Sequence, residues 1–183
     1  KTKPQEVVVP PGTSTERTAL PVPQVPFTDV TEAAGLSFTH YNGAAGKKLL
    51  PETMGGGACV LDFDGDGRQD LLFVNGCAWP GHKPPEKAAA SCITLYRNKG
   101  DGTFEDVTDK AGLTVNAYCV GACSGDFDGD GFPDLFVTCV GGGRLYRNVP
   151  GEKGGRKFVD ATGTAGIMMP KTQCGRVCAA CAG

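Results

Sequence analysis

The chain has 183 residues, including 28 glycines and 13 prolines, and a formal net charge of −2. So many turn-forming residues disfavour long helices and favour short strands. Its scattered basic residues make no field suited to nucleic acid, and no run reaches the roughly 18 to 20 apolar residues that span a bilayer.

Residues 1–26 read as a proline-rich arm or linker, with Pro4, Pro10, Pro11, Pro21, Pro23 and Pro26 among Val, Thr and Ser. Such a composition favours an extended tether with no core of its own, suited to lying along another subunit. The chain opens at Lys1 without a methionine or an apolar signal core, as a processed protein would.

Phe27-Thr28-Asp29-Val30-Thr31 leads to Ala34-Gly35-Leu36, and this pattern returns as Phe104-Glu105-Asp106-Val107-Thr108 to Leu113 and as Phe158-Val159-Asp160-Ala161-Thr162 to Ile167. The first copy is expected to be a strand, the outer one of a final blade that closes a ring. Between the copies lie two aspartate-rich loops 64 residues apart, Asp62-Phe63-Asp64-Gly65-Asp66-Gly67-Arg68-Gln69-Asp70 and Asp126-Phe127-Asp128-Gly129-Asp130-Gly131-Phe132-Pro133-Asp134. Carboxylates at positions 1, 3, 5 and 9 converge on one hard cation, and position 7 (Arg68, Phe132) adds its backbone carbonyl. Calcium is expected at both loops, because it accepts six to eight oxygens in flexible geometry where magnesium demands an octahedron. Two bound ions would move the net charge to about +2. An EF-hand is excluded: its position 12 needs Glu, and Phe73 and Val137 stand there, inside apolar runs that read as strands.

After each loop comes Leu-Tyr-Arg-Asn, at Leu95–Asn98 and Leu145–Asn148. One unit is therefore strand, acidic loop, strand, connection, Leu-Tyr-Arg-Asn strand, Gly-rich turn and Phe-x-Asp-x-Thr strand. That is a four-stranded antiparallel blade of propeller length, and the fold class is all-β. Residues 27–183 divide into an entering strand and lead-in (27–54), blade 1 (55–113), blade 2 (114–167) and the start of blade 3 (168–183). Two blades and a fragment do not close a ring of the usual four to eight, so either the chain continues or partners cover its edges.

These segments resemble FG-GAP/VCBS repeats of the integrin-alpha type. The stretch Phe38-Thr39-His40-Tyr41-Asn42-Gly43, with Leu50-Pro51-Glu52-Thr53-Met54-Gly55-Gly56-Gly57, is similar to the opening of cartilage-acidic-protein (ASPIC/UnbV) family members. The resemblance implies a calcium-bound β-propeller, secreted or envelope-associated, with no defined reaction.

Nine cysteines are too many for an ordinary cytosolic chain of this size and point to a periplasmic, surface or secreted location. Cys77 and Cys92 bracket a Pro-rich insertion and are one disulfide candidate, with about 3 kcal/mol expected on the loop-entropy model. Cys119 and Cys139 flank the second loop hairpin and are the other. Cys59, Cys123 and Cys181 share one slot on the innermost strand, where buried thiols are expected. Cys174, Cys178 and Cys181 lack an evident fourth ligand and the His that follows a haem-attachment pair.

The two histidines, His40 and His82, sit in unrelated contexts, and no nucleophile has a recognisable base, so no catalytic residue is assigned. Glu52 is expected to hydrogen-bond between blades, and Trp79 either forms a contact surface or folds over its own loop. The function expected is a calcium-stabilised extracytoplasmic scaffold for protein contacts, through the arm, the blade insertions or the cysteine-rich C-terminus. Two alternatives are an accessory subunit of an envelope redox or other membrane complex, and a noncatalytic part of a larger enzyme. Membrane association would come only through a partner or anchor.

Overall fold

The computed structural model describes residues 26–46, 48–79, 81–82 and 91–167. The arm up to residue 25, most of the blade-1 insertion and residues 168–183, with Cys174, Cys178 and Cys181, lie outside the described residues.

Eight strands follow in chain order: β1 (Ala58–Leu61), β2 (Asp70–Val74), β3 (Ile93–Asn98), β4 (Phe104–Asp106), β5 (Cys119–Gly125), β6 (Asp134–Cys139), β7 (Gly142–Pro150) and β8 (Arg156–Asp160). They form two four-stranded antiparallel sheets, β1-β2-β3-β4 and β5-β6-β7-β8, each strand beside its sequence neighbour. Among the described residues, two short 3-10 turns interrupt this, at Leu50–Thr53 and Glu152–Gly154. The protein is thus all-β, built from two blades of the propeller type. The same register recurs in both: Leu71 and Leu135 face Tyr96 and Tyr146, which in turn face Asp106 and Asp160.

β2 alternates buried and half-buried side chains, as a strand with one face on a core must. Leu72, Val74, Ile93, Leu95, Leu113, Leu135 and Val137 are completely buried and belong to one cluster shared by both sheets. β5 packs against β1 and β2, so the seam between blades is also the core.

The Phe-x-Asp-x-Thr motif is a turn device. Asp106 Oδ1 accepts from the Thr108 N–H at 3.0 Å and from its hydroxyl at 2.6 Å, and Thr108 Oγ1 accepts from the Leu95 N–H at 3.0 Å. Thr162 N–H likewise donates to Asp160 and its Oγ1 accepts from the Leu145 N–H, with its hydroxyl turned to the Leu145 carbonyl instead of the aspartate, and Thr31 N–H bonds Asp29. Side-chain oxygens thereby satisfy backbone donors where the ladder ends. The Ala-Gly-Leu that follows joins one unit to the next: Ala34 carbonyl accepts from Phe104 N–H at 2.9 Å, and Ala111 carbonyl from Phe158 N–H at 2.8 Å. Gly112 is required at that joint, because it adopts φ +72° and a Cβ would stand 2.8 Å from the Phe158 carbonyl oxygen.

Two expectations need correction. Among the described residues of 27–54 there is no strand; Phe27 is 93 % exposed, and Thr31–Gly35 is a turn. Both Leu-Tyr-Arg-Asn strands already pair with β4 and β8, which leaves the first copy no ladder to join among the described residues. Trp79 is not an exposed contact: it is buried and stacks on Tyr118 at 4.6 Å.

Candidate metal centres

The two acidic loops bridge β1 to β2 and β5 to β6, and their internal hydrogen bonds agree almost one for one. Asp62 Oδ1 accepts from Gly65 and Asp66 N–H, and Oδ2 from Gly67 N–H at 2.9 Å. Asp126 does the same with Gly129, Asp130 and Gly131. Those backbone donors, Gly131 foremost, hold the Asp126 carboxyl below its ordinary value. Position 5 accepts from position 7, Arg68 N–H to Asp66 and Phe132 N–H to Asp130, each at 2.9 Å.

Position 9 is a pin. Asp70 accepts from Phe63 N–H at 3.0 Å and Asn98 N–H at 2.7 Å, and Asp134 accepts from Phe127 and Asn148 at the same two distances. Both aspartates are buried. Burial, helped by the charges of Asp64 and Asp66, pushes the Asp70 carboxyl up against the pull of its two N–H donors.

The expected ligands do not all converge. Oxygens of Asp62, Asp64 and Asp70 lie within 4.8 Å of one another in the first loop, and those of Asp126, Asp128 and Asp130 in the second. Asp66 is drawn instead to Arg68 and Arg97, the latter at 3.3 Å, and Asp134 stays with its two backbone donors. Three carboxylates this close repel by about 4 kcal/mol per pair at 4 Å and an effective dielectric near 20. The arginines offset part of this. Arg97 Nε stands 2.7 Å from Asp64 Oδ2, off the line of a hydrogen bond, while Arg147 pairs with Asp128 and Arg156 reaches Asp130 at 3.4 Å.

A hard divalent cation fits this donor set. All donors are oxygens, and Asp64 Oδ1 is buried without any hydrogen-bond partner beside its two neighbours. A buried lone pair left unsatisfied costs free energy that a coordinated ion recovers.

The arginine and asparagine of Leu-Tyr-Arg-Asn were legible as part of a strand but not as part of the site. Asn148 Nδ2 donates to the Pro133 carbonyl and, across the seam, to the Phe63 carbonyl of the first loop at 2.8 Å. Their strict co-repetition with the loops was the available signal. Gly65 carries a second load besides easing ligand crowding: at φ +75°, a Cβ there would meet the Phe132 ring at 2.8 Å, so the loops of the two blades pack on each other. Arg156 lies 3.5 Å over that same ring.

Among the other singled-out residues, Glu52 is buried, but its backbone carbonyl, not its carboxylate, makes the bond to Asn42 Nδ2, and Oε1 has no hydrogen-bond partner. Cys59 is half-buried and Cys123 is exposed, against the expectation of buried thiols. Cys123 sits on the β5 edge strand, where burial fades toward the loop. Cys119 and Cys139 come together with sulfurs 2.8 Å apart, and Cys77 hydrogen-bonds Cys92.

Residues 62–137 match the family model of the FG-GAP-like repeat, from the first aspartate of loop one into β6. The match covers both acidic loops and the strands between them, and supports the FG-GAP part of the resemblance, a β-propeller type of protein-interaction module. No curated protein matches the chain. Among the described residues, no helix is long and apolar enough to cross a membrane.

Proposed function

We propose that this chain is a calcium-stabilised scaffold that works outside the cytoplasm and holds protein partners, without catalysing a reaction, in the manner of the ASPIC/UnbV proteins it resembles. The observation that carries the calcium reading is the buried, partnerless Asp64 Oδ1 beside Asp62 and Asp70. One ion is held by Asp62, Asp64 and Asp70, the other by Asp126, Asp128 and Asp130. The carboxylate of Asp66 and the carbonyls of Arg68 and Phe132 are within the same loops to complete the shells. The ion supplies charge neutralisation; the protein supplies preformed turns whose backbone donors already orient Asp62 and Asp126.

Scaffolding follows from the two-blade frame, which leaves large apolar side chains such as Val60, Phe127 and Val159 exposed on its surface. A disulfide between Cys77 and Cys92 would hold the blade-1 insertion, consistent with an oxidising compartment. The test is thermal melting of the chain in millimolar calcium and in chelator, for the wild type and Asp64→Ala. Calcium raises the wild-type midpoint and has a smaller effect on the variant; a midpoint indifferent to calcium in the wild type removes the proposal.

A further inference from the structure

Apart from the acidic loops, the structure gathers four cysteines at the seam between the blades. Cys119 and Cys139 stand directly opposite on β5 and β6, with sulfurs 2.8 Å apart. Val140 N–H donates to the Tyr118 carbonyl at 2.7 Å, so the Cys119/Cys139 rung is the non-hydrogen-bonded kind, where Cα atoms approach to about 4.5 Å. A disulfide bridges that separation. Cys119 N–H turns away to blade 1 and donates to the Asn75 carbonyl at 3.1 Å.

The two sulfurs differ in access and surroundings. Cys119 is completely buried, whereas Cys139 is only partly so. From β7, Arg144 faces both sulfurs, and its Nε is buried with no hydrogen-bond partner. Also from β7, Tyr146 lies near Cys119 and hydrogen-bonds Arg144, with Asp160 of β8 beyond it. From blade 1, Cys92 faces the pair, itself backed by Cys77. The nearest full charge is therefore a guanidinium. The hydrogen bond between the two sulfurs, assisted by Arg144, holds the Cys139 thiol below its ordinary value in spite of burial, and the same contact together with burial pushes Cys119 up. No three cysteine sulfurs converge within 4.8 Å among the described residues, which is not the geometry of a thiolate metal site.

We propose that Cys119 and Cys139 are a reactive dithiol–disulfide pair in which Cys139 is the exchanging sulfur and Arg144 positions and stabilises its thiolate. The Cys139 thiolate attacks one sulfur of a low-molecular-weight disulfide, breaking that S–S bond and releasing one thiolate. Cys119 then attacks the Cys139 sulfur, its proton passing to the second small thiolate as that group leaves as a thiol. Two protein thiols are oxidised and one external disulfide is reduced to two thiols.

The test adds oxidised glutathione to the reduced 183-residue chain, maps disulfides by mass spectrometry, and follows iodoacetamide alkylation of each cysteine against pH. A Cys119–Cys139 bridge is expected in the wild type, and a glutathione adduct trapped on Cys139 in Cys119→Ala. Wild-type Cys139 alkylates with a midpoint below the roughly 8.5 of free cysteine. Arg144→Gln raises that midpoint by about one unit, a loss of about tenfold in thiolate at neutral pH, and Arg144→Lys restores part of it. Glutathione trapped on the exposed Cys123 but not on Cys139, a wild-type Cys139 midpoint at or above that of free cysteine, or an unchanged profile in Arg144→Gln would each overturn the proposal. The wild-type midpoint needs no variant to fold.

Discussion

Asp134 distinguishes a residue that pins the loop from one that binds the ion. It is 1 % exposed and accepts from the N–H groups of Phe127 and Asn148 at 3.0 and 2.7 Å, yet it lies outside the converging oxygens of Asp126, Asp128 and Asp130. Asp134→Ala strips two buried backbone donors of their acceptor. Each unsatisfied donor costs about 1 to 3 kcal/mol, so the variant loses about 2 to 6 kcal/mol, or on the order of 10 °C in melting midpoint for a domain of this size. The loss is expected in chelator as well as in calcium, because the pinned hydrogen bonds do not depend on the ion. Asp128→Ala behaves differently: in chelator it removes one surface ion pair with Arg147, worth about 0 to 1 kcal/mol, and an exposed bond from the Asp130 N–H, which keeps Asp126 as acceptor, and it relieves carboxylate repulsion. Its penalty shows only when calcium is present. Calorimetric melting of both variants in both media reads this out, and an Asp134→Ala midpoint within about 2 °C of wild type in chelator would refute the reasoning.

Arg97→Met removes the cation beside Asp64 and Asp66; the chain should bind calcium severalfold more tightly while melting earlier in chelator, as read by titration calorimetry and a melt. Gly65→Val combines a left-handed φ of +75° with a clash on the Phe132 ring, and should cost about 1 to 3 kcal/mol in denaturant unfolding. Burial pushes the Tyr118 and Tyr146 phenols up to about 12, so phenolate absorbance should show two tyrosines ionising about two units late. Since their folded values are raised, this stability is fully present below about pH 10 and is lost as the pH climbs toward 12; absorbance complete by pH 11 would contradict it.

The blade was legible because its pieces repeat in fixed order and because the short apolar runs Leu71-Leu72-Phe73-Val74 and Leu135-Phe136-Val137 after the loops read as strands. The loop aspartates were legible from spacing alone. Arg97 and Arg147 were not, since their reach back to Asp64 and Asp128 depends on the β2–β3 and β6–β7 pairings, which bring residues about 20 to 30 apart in sequence side by side. At Phe27 only the turn part of the motif forms among the described residues, where both Leu-Tyr-Arg-Asn strands already pair with β4 and β8. Trp79 stayed open in sequence between a contact surface and a fold over its own loop, because its partner Tyr118 is 39 residues away and comes beside it only at the seam.

The central claim is that the two acidic loops each hold a calcium ion that stabilises the blades. Titration calorimetry of chelator-stripped protein with calcium addresses it most directly, repeated on Asp64→Ala and Asp128→Ala. Two sites in the wild type, with one lost in each variant, is the predicted result; no binding in the wild type, or two sites surviving in both variants, would contradict the account.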